Sequence, residues 1–264
     1  MSPVQAKTDL EQNLAALLFQ NECGGKMENL VYWSAKEPFP SLGIAHFIWL
    51  PSTQKSLPFK ETFPDFIHFY RQKAAKNPDF PVLPPFLQTE PLILPWQSRE
   101  AFVQADHSPQ KLALQQFLWQ TRRQQAEFVM ARFWQQWQKT LQNDTEMRQQ
   151  KFTHLLKRIM ASEKGRLLIL DYANFKGLGH NAKEQYHGQG WGVFEVLQRM
   201  LKSGAQLVDD PQSLAVQFIQ VAKQLLKQRI DNAPKLTNGM SSEQHWQQGW
   251  FARLNKMQRI VERE

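Results

Sequence analysis

Thr8-Asp9-Leu10-Glu11-Gln12-Asn13-Leu14-Ala15-Ala16-Leu17-Leu18-Phe19-Gln20-Asn21-Glu22-Cys23-Gly24-Gly25 is the stretch from which the rest of the chain is read. Leu10, Leu14, Leu17 and Leu18 recur at helical spacing and fall on one face, which predicts an amphipathic helix. Thr8 followed by Glu11 predicts a capping box at its start. Gly24-Gly25 predicts its end, because glycine takes the left-handed conformation that closes a helix. Glu22 is then left in the last turn.

Outward from that helix the pattern changes. Leu30 to Pro51 is aromatic and β-branched, broken by Pro38, Pro40 and Gly43, and predicts a small hairpin or irregular strand region. Pro58 to Pro95 is proline-rich and predicts packed loop, or a lid over a cleft, with one short helix around Asp65 to Lys73. Ser98 predicts the start of a short helix. Ser108-Pro109 predicts the next, since serine caps and proline suits the first helical position. Apolar spacing from Leu112 through Phe117, Phe128, Phe133, Trp134 and Trp137 carries it toward Leu141, with a break near Thr121. Further helices are expected at 145–160, 163–175, 189–202, 211–230 and 243–260. The glutamines scattered through 110–150 are interleaved with apolar residues and read as solvated helix faces. No repeat of 20 to 50 residues is visible, which argues against a solenoid.

The bulk numbers agree with a folded, core-bearing chain. It has 264 residues, 42% of them hydrophobic and 12% aromatic, enough for one large core or two modest ones. A single cysteine, Cys23, excludes an internal disulfide and a multi-cysteine metal site. The seven histidines contain no H-x-x-x-H pair, so no metal and no cofactor is expected. A formal charge of +8 attracts polyanions, but the basic residues are dispersed and no block of five or more makes a nucleic-acid arm, so nucleic acid is not an expected partner. No apolar run is long enough to span a membrane. Met1-Ser2-Pro3 lacks the basic and apolar regions of a signal peptide.

Two constellations could carry chemistry. The first is Asn21 to Gly25 together with Ser41-Leu42-Gly43-Ile44-Ala45-His46-Phe47-Ile48-Trp49. The second is Asp171-Tyr172-Ala173-Asn174-Phe175-Lys176-Gly177-Leu178-Gly179 with Glu184-Gln185-Tyr186-His187-Gly188-Gln189-Gly190-Trp191-Gly192. The triplet Gly188, Gly190 and Gly192 is not a phosphate loop, having no preceding strand and no Gly-Lys-Ser/Thr after it. No G-x-S-x-G elbow exists for a serine hydrolase. Trp246 and Trp250, four apart, are expected to staple the last helix to the core.

The first constellation resembles that of lysozyme-like glycosidases, notably the phage-type lysozymes. There a glutamate closes the first long helix and a small hairpin follows with a Thr-Ile-Gly-Ile-Gly-His type segment, which Ser41 to His46 resembles. The resemblance implies an α+β, mainly α, lysozyme-like fold with a small N-terminal hairpin. It implies Glu22 as the general acid, Ser41 as the hydroxyl that helps place water, and His46 as the histidine ending the motif, tying the hairpin to neighbouring backbone. Gly43 matches a family glycine, whereas Ala45 stands where a second glycine is expected. The family's aspartate between these elements is missing; Glu37 is the carboxylate of that stretch, and Glu184 is the alternative second carboxylate. Asn174-Phe175-Lys176-Gly177 loosely resembles the segment beneath the family's sugar cleft, with Tyr172, Tyr186, Gln189 and Trp191 as sugar-compatible neighbours.

The chemistry agrees with such residues. Glycoside cleavage needs a carboxylic acid to protonate the leaving oxygen and a second group to activate water or stabilise the sugar cation. Leu18, Phe19, Phe47 and Trp49 could supply the apolar wall that keeps an acid protonated. The expectation is therefore one lysozyme-like domain over 1–264, with a proline-rich insertion at about 52–97 and a C-terminal helical extension at about 205–264. Its substrate would be a polysaccharide, peptidoglycan or a related amino-sugar glycan, cleaved by hydrolysis or lytic transglycosylation. That implies a periplasmic or secreted protein with its leader removed, the alternative being cytoplasmic. The rival reading is a non-catalytic helical scaffold whose basic surface meets an acidic partner. Nothing in the sequence sets the oligomeric state.

Overall fold

The computed structural model describes residues 3–54, 56–57, 60–142, 144–179, 185–202, 210–237 and 239–263. The protein is mainly helical, with ten helices among the described residues and one small three-stranded antiparallel sheet. The chain forms two compact units, Met1–Ala131 and Arg132–Glu264, and each is described by itself.

The first unit holds α1 (Pro3–Cys23), β1 (Val31–Tyr32), β2 (Ser41–Leu42), β3 (Phe47–Ile48), α2 (Phe63–Ala74), α3 (Arg99–Gln104), α4 (Pro109–Gln120) and the start of α5 (Arg122–Leu141). The strands are ordered β1-β2-β3, with Tyr32 opposite Ser41 and Ser41 opposite Ile48. Leu14 and Leu18 of α1 are fully buried, as the spacing predicts. Gly24 and Gly25 take positive φ and the Gly25 amide bonds the Phe19 carbonyl at 3.2 Å, so the glycines close the helix as the sequence predicts.

The start of α1 differs from the sequence expectation. It begins at Pro3, and Thr8 and Glu11 lie inside it. Glu11 is 2% exposed and spends its carboxylate on Arg123 at 2.8 Å, while Thr8 Oγ1 accepts from the same guanidinium at 3.3 Å. A buried carboxylate needs a charged partner, and that need outweighs any role for Glu11 at a cap. Downstream, Ser98 and Ser108 cap α3 and α4 as predicted, accepting from the Ala101 and Lys111 amides. The break falls at Thr121, whose hydroxyl bonds the Phe117 carbonyl. The proline-rich stretch contributes α2 and a 3₁₀ turn at Pro85–Leu87 to the first unit.

The second unit holds α6 (Glu146–Ile159), α7 (Glu163–Lys176), α8 (Val193–Lys202), α9 (Pro211–Asn232) and α10 (Gln247–Glu262). α9 is its centre, packed by α6, α7, α8 and α10, with Leu214, Phe218, Ala222 and Leu226 fully buried. The helix expected from 189 begins only at Val193. Tyr186 and Gln189 exchange backbone hydrogen bonds of 3.1 and 3.0 Å, closing a tight turn over His187 and Gly188, both at positive φ. α10 likewise starts at Gln247, after a 3₁₀ turn at Gln244–Trp246. Trp250 is buried in this helix, whereas Trp246 stays 49% exposed.

Candidate functional site

Glu22 lies in the last turn of α1 and is largely enclosed, its side chain 13% exposed. The hairpin brings His46 to it: the imidazole Nδ1 is 3.5 Å from Glu22 Oε2. His46 reaches that position in the left-handed region, at φ 51°, a conformation that costs a non-glycine residue energy and clusters at functional sites. Glu22 also adds to the burial that pushes the neighbouring Cys23 thiol up to about 12.

The turn that delivers His46 is held from beneath. Gly43 has φ 70°, its amide bonds the Leu30 carbonyl at 2.8 Å, and its carbonyl accepts from Cys23 Sγ at 3.7 Å and the His46 amide at 3.3 Å. A Cβ at Gly43 would fall on Gln125 Oε1, so glycine is required both by backbone and by space. Gln125 is fully buried and fully used. Its Oε1 accepts from the Ile44 amide at 2.8 Å, and its Nε2 donates to the Leu118 carbonyl at 2.7 Å and Thr121 Oγ1 at 3.2 Å. Ala45 has no positive φ, so alanine sits without strain where the resemblance expects glycine.

Gln125 corrects the reading of the 110–150 glutamines as solvated. The signal was present: Gln125 follows Leu118 by seven and precedes Phe128 by three, which places it on the buried row.

The other first-unit residues take these places. Ser41 is 7% exposed in β2. Opposite residues of an antiparallel pair face the same side, so Ser41 shares its face with Tyr32, which is 50% exposed. Glu37 stands exposed in the turn between β1 and β2, a turn closed by Trp33 Nε1 bonding the Glu37 carbonyl at 2.9 Å. Of the expected apolar wall, Phe47 stacks on Phe66 and Trp49 on Phe63, both from α2, and both rings are spent on the core.

In the second unit, Tyr172 is buried and its hydroxyl donates to the Trp191 carbonyl at 2.7 Å. Burial raises that phenol far above its ordinary value. The Trp191 ring is buried beneath the Arg229 guanidinium, 3.8 Å from its centroid. Arg229 also grips Glu243 with two bonds of 2.5 and 2.6 Å, and Tyr186 donates to the same carboxylate at 3.1 Å. Burial, then Glu243, raises the Tyr186 phenol. Asn174 is half-buried in the last turns of α7, and Glu184 lies outside the described residues. Gly192 packs directly on the backbone of Leu178 and Gly179, so a Cβ there would overlap main-chain atoms. Of the triplet it is Gly192 that serves a close backbone crossing, while Gly188 supplies the positive φ of the turn after His187.

Gln189 lines a cavity of about 420 Å³ with Glu195, Gln198, Arg199 and Lys202. Glu195 was not singled out by its sequence. Its carboxyl is raised by desolvation, which outweighs the lowering by Lys202, Arg148 and Arg199. It follows the glycine triplet by three residues and occupies the first turn of α8, which is the signal that could have found it.

Among the described residues no three His, Cys, Asp or Glu side chains gather to hold a metal, and no helix is long and apolar enough to cross a membrane. No known protein family, characterised protein or solved structure matches the chain.

Proposed function

We propose that the chain is a lysozyme-like glycosidase that cleaves an amino-sugar polymer of the peptidoglycan class, with Glu22 as the proton donor. The observation that carries this reading is the Glu22–His46 approach of 3.5 Å, made by a histidine held at positive φ behind Gly43. A glutamate at an exposed helix end would need no such arrangement. The reading rests on the first unit alone.

In this reaction protonated Glu22 gives its proton to the glycosidic oxygen as the carbon–oxygen bond breaks, leaving a carboxylate. His46 orients the carboxyl and, when protonated, balances the charge that forms. Ser41 offers a hydroxyl beside the sheet face for an attacking water. In the water route the proton freed is released to solvent; where the sugar's own hydroxyl attacks instead, its proton passes to the Glu22 carboxylate, so the single acid suffices, and the product carries an anhydro ring. A charge of +8 favours approach to acidic wall polymers.

The test is turbidity loss of purified bacterial cell walls from pH 4 to 8, with wild type and Glu22→Gln. Clearing by wild type and loss of about 100-fold or more in the variant is expected for a general acid. Mass analysis of the released fragments separates hydrolysis from transglycosylation. Equal inertness of both proteins on intact walls and on soluble N-acetylglucosamine oligomers overturns the reading.

A further inference from the structure

The cavity beside Gln189 in the second unit has no part in the glycosidase reading. Its volume of about 420 Å³ is within the range of small-ligand pockets, about 300–1,000 Å³. Its lining is polar. Among the described residues Leu225 is the one apolar side chain, set against Gln189, Glu195, Gln198, Arg199 and Lys202, with Gly188 as the remaining member. α8 builds most of it. Val193, Val196, Leu197 and Met200 of that helix are buried, and its other face carries Glu195, Arg199 and Lys202 at spacings of four and three, one above another.

Two of these polar groups are already committed. Gln198, with its amide in the orientation that satisfies both ends, donates to Glu195 Oε2 at 3.3 Å and accepts from Arg148 at 2.8 Å. Arg148 is itself paired with Asp144 at 3.1 Å. That chain of contacts holds the Glu195 carboxyl in place. Arg199 and Lys202 differ: among the described residues neither cationic head has a hydrogen bond or an ion pair, and their attraction to Glu195 acts at a distance. The cavity therefore holds two uncommitted cations and one carboxyl already bonded to Gln198. Two cations one helical turn apart match a doubly charged oxyanion, because the planar guanidinium grips two oxygens and the ammonium meets a third. A carboxylate supplies only two oxygens and one charge, and an apolar ligand finds Leu225 alone.

We propose that this cavity binds the phosphate monoester of a small polyhydroxylated molecule, an inference independent of the glycosidase reading. Arg199 holds two phosphate oxygens and Lys202 a third. The Gln189 amide and the Glu195 carboxyl meet hydroxyls on the body of the ligand, which fills the volume that a free phosphate would leave to water. The Glu195 carboxylate opposes the phosphate charge, and that opposition gives the site a signature that a general basic surface lacks.

The experiment is calorimetric titration of the full chain with glucose 6-phosphate, inorganic phosphate and glucuronate at pH 7.5, where a phosphate monoester carries close to two charges. Glucose 6-phosphate is expected to bind at least about 10-fold tighter than either of the others, the scale of one or two further hydrogen bonds. Arg199→Gln and Lys202→Gln are each expected to weaken it by about 10-fold, the loss of one charge-assisted contact. Lys76→Gln, an equal loss of charge at an exposed lysine of the first unit, is expected to leave it unchanged. Glu195→Gln is expected to tighten it by about 3-fold or more, since a like charge is removed from the cavity. Thermal melts show whether each variant is folded, and the exposed Lys202 supplies one that leaves the core untouched. The site is overturned if wild type does not bind glucose 6-phosphate, if inorganic phosphate or glucuronate binds equally well, or if folded Lys202→Gln keeps full affinity. Equal losses in Lys202→Gln and Lys76→Gln assign the binding to net charge and overturn it too, as does weaker binding by folded Glu195→Gln.

Discussion

Gln125 Oε1 accepts the amide hydrogen of Ile44 at 2.8 Å, a bond between residues 81 apart in the chain. Through it the junction of α4 and α5 holds the turn that carries His46 to Glu22. The same oxygen occupies the space that any side chain at Gly43 would need. The candidate site is thus supported by a residue with no chemistry of its own.

Gln125→Ala removes the partners of the Ile44 amide and the Leu118 carbonyl, both buried. Leaving buried polar groups unsatisfied costs about 1–3 kcal/mol each, so chemical denaturation should show a loss of that order or more. Gly43→Ala should cost about 2 kcal/mol through its positive φ and its clash. The double variant should be less destabilised than the sum, because removing the amide clears the space for the new methyl. Strict additivity would mean that the contact does not govern the turn.

Among the described residues, Asp171 and Arg253 form the most enclosed ion pair of the second unit, with bonds of 2.7 and 3.1 Å and side chains 3% and 10% exposed. Asp171→Ala leaves the guanidinium without that partner and should cost about 3–5 kcal/mol in urea unfolding. Asp171→Leu combined with Arg253→Met should recover a large part of the loss, since the guanidinium that had lost Asp171 is then gone as well. A double variant as unstable as Asp171→Ala would show that the pair contributes more than its own desolvation cost.

Cys23 has its thiol raised from 9.0 to about 12, first by burial and then by Glu22. The native thiol therefore keeps its proton where the unfolded thiol has lost it. Between pH 9 and 12 the unfolded chain binds fewer protons at this group, so its contribution to stability is full below pH 9 and is lost as pH rises toward 12. Thiolate is the reactive form. A thiol-specific disulfide reagent at pH 8 should label urea-unfolded protein fully while native protein stays unlabelled over the same time. Native labelling at the unfolded rate would count against the buried thiol.

Glu195 has its carboxyl raised by burial, so the folded state favours the protonated form more than the unfolded state does. Its contribution is most favourable at acid pH and diminishes as pH rises through the raised value. Glu195→Gln should therefore melt above wild type at pH 7, with the gap closing toward pH 4. A variant less stable than wild type at pH 7 would show that Lys202, Arg148 and Arg199 outweigh desolvation.

Most of the helical skeleton was legible because its signals are local. Leucine spacing set α1, serine caps set α3 and α4, and Thr121 marked the break before α5, all within a few residues of chain. The failures have one physical cause. Thr8 with Glu11 reads as a capping box, yet Arg123 claims both side chains from far along the chain. The 189–192 segment reads as helix, yet Gly192 is committed to the backbone of Leu178 and Gly179 and the turn at His187 delays α8 to Val193.

By itself the sequence determined that the protein is mainly helical and where α1 ends, because periodicity, caps and glycines act over one or two turns of chain. Only the tertiary structure decided that His46 meets Glu22, that Gln125 is a buried support for their turn, that Phe47 and Trp49 belong to the core with α2, and that Arg199 and Lys202 share a cavity with Gln189 and Glu195. Those relationships depend on which distant groups satisfy each buried amide and charge, and that pairing is settled only when the elements pack.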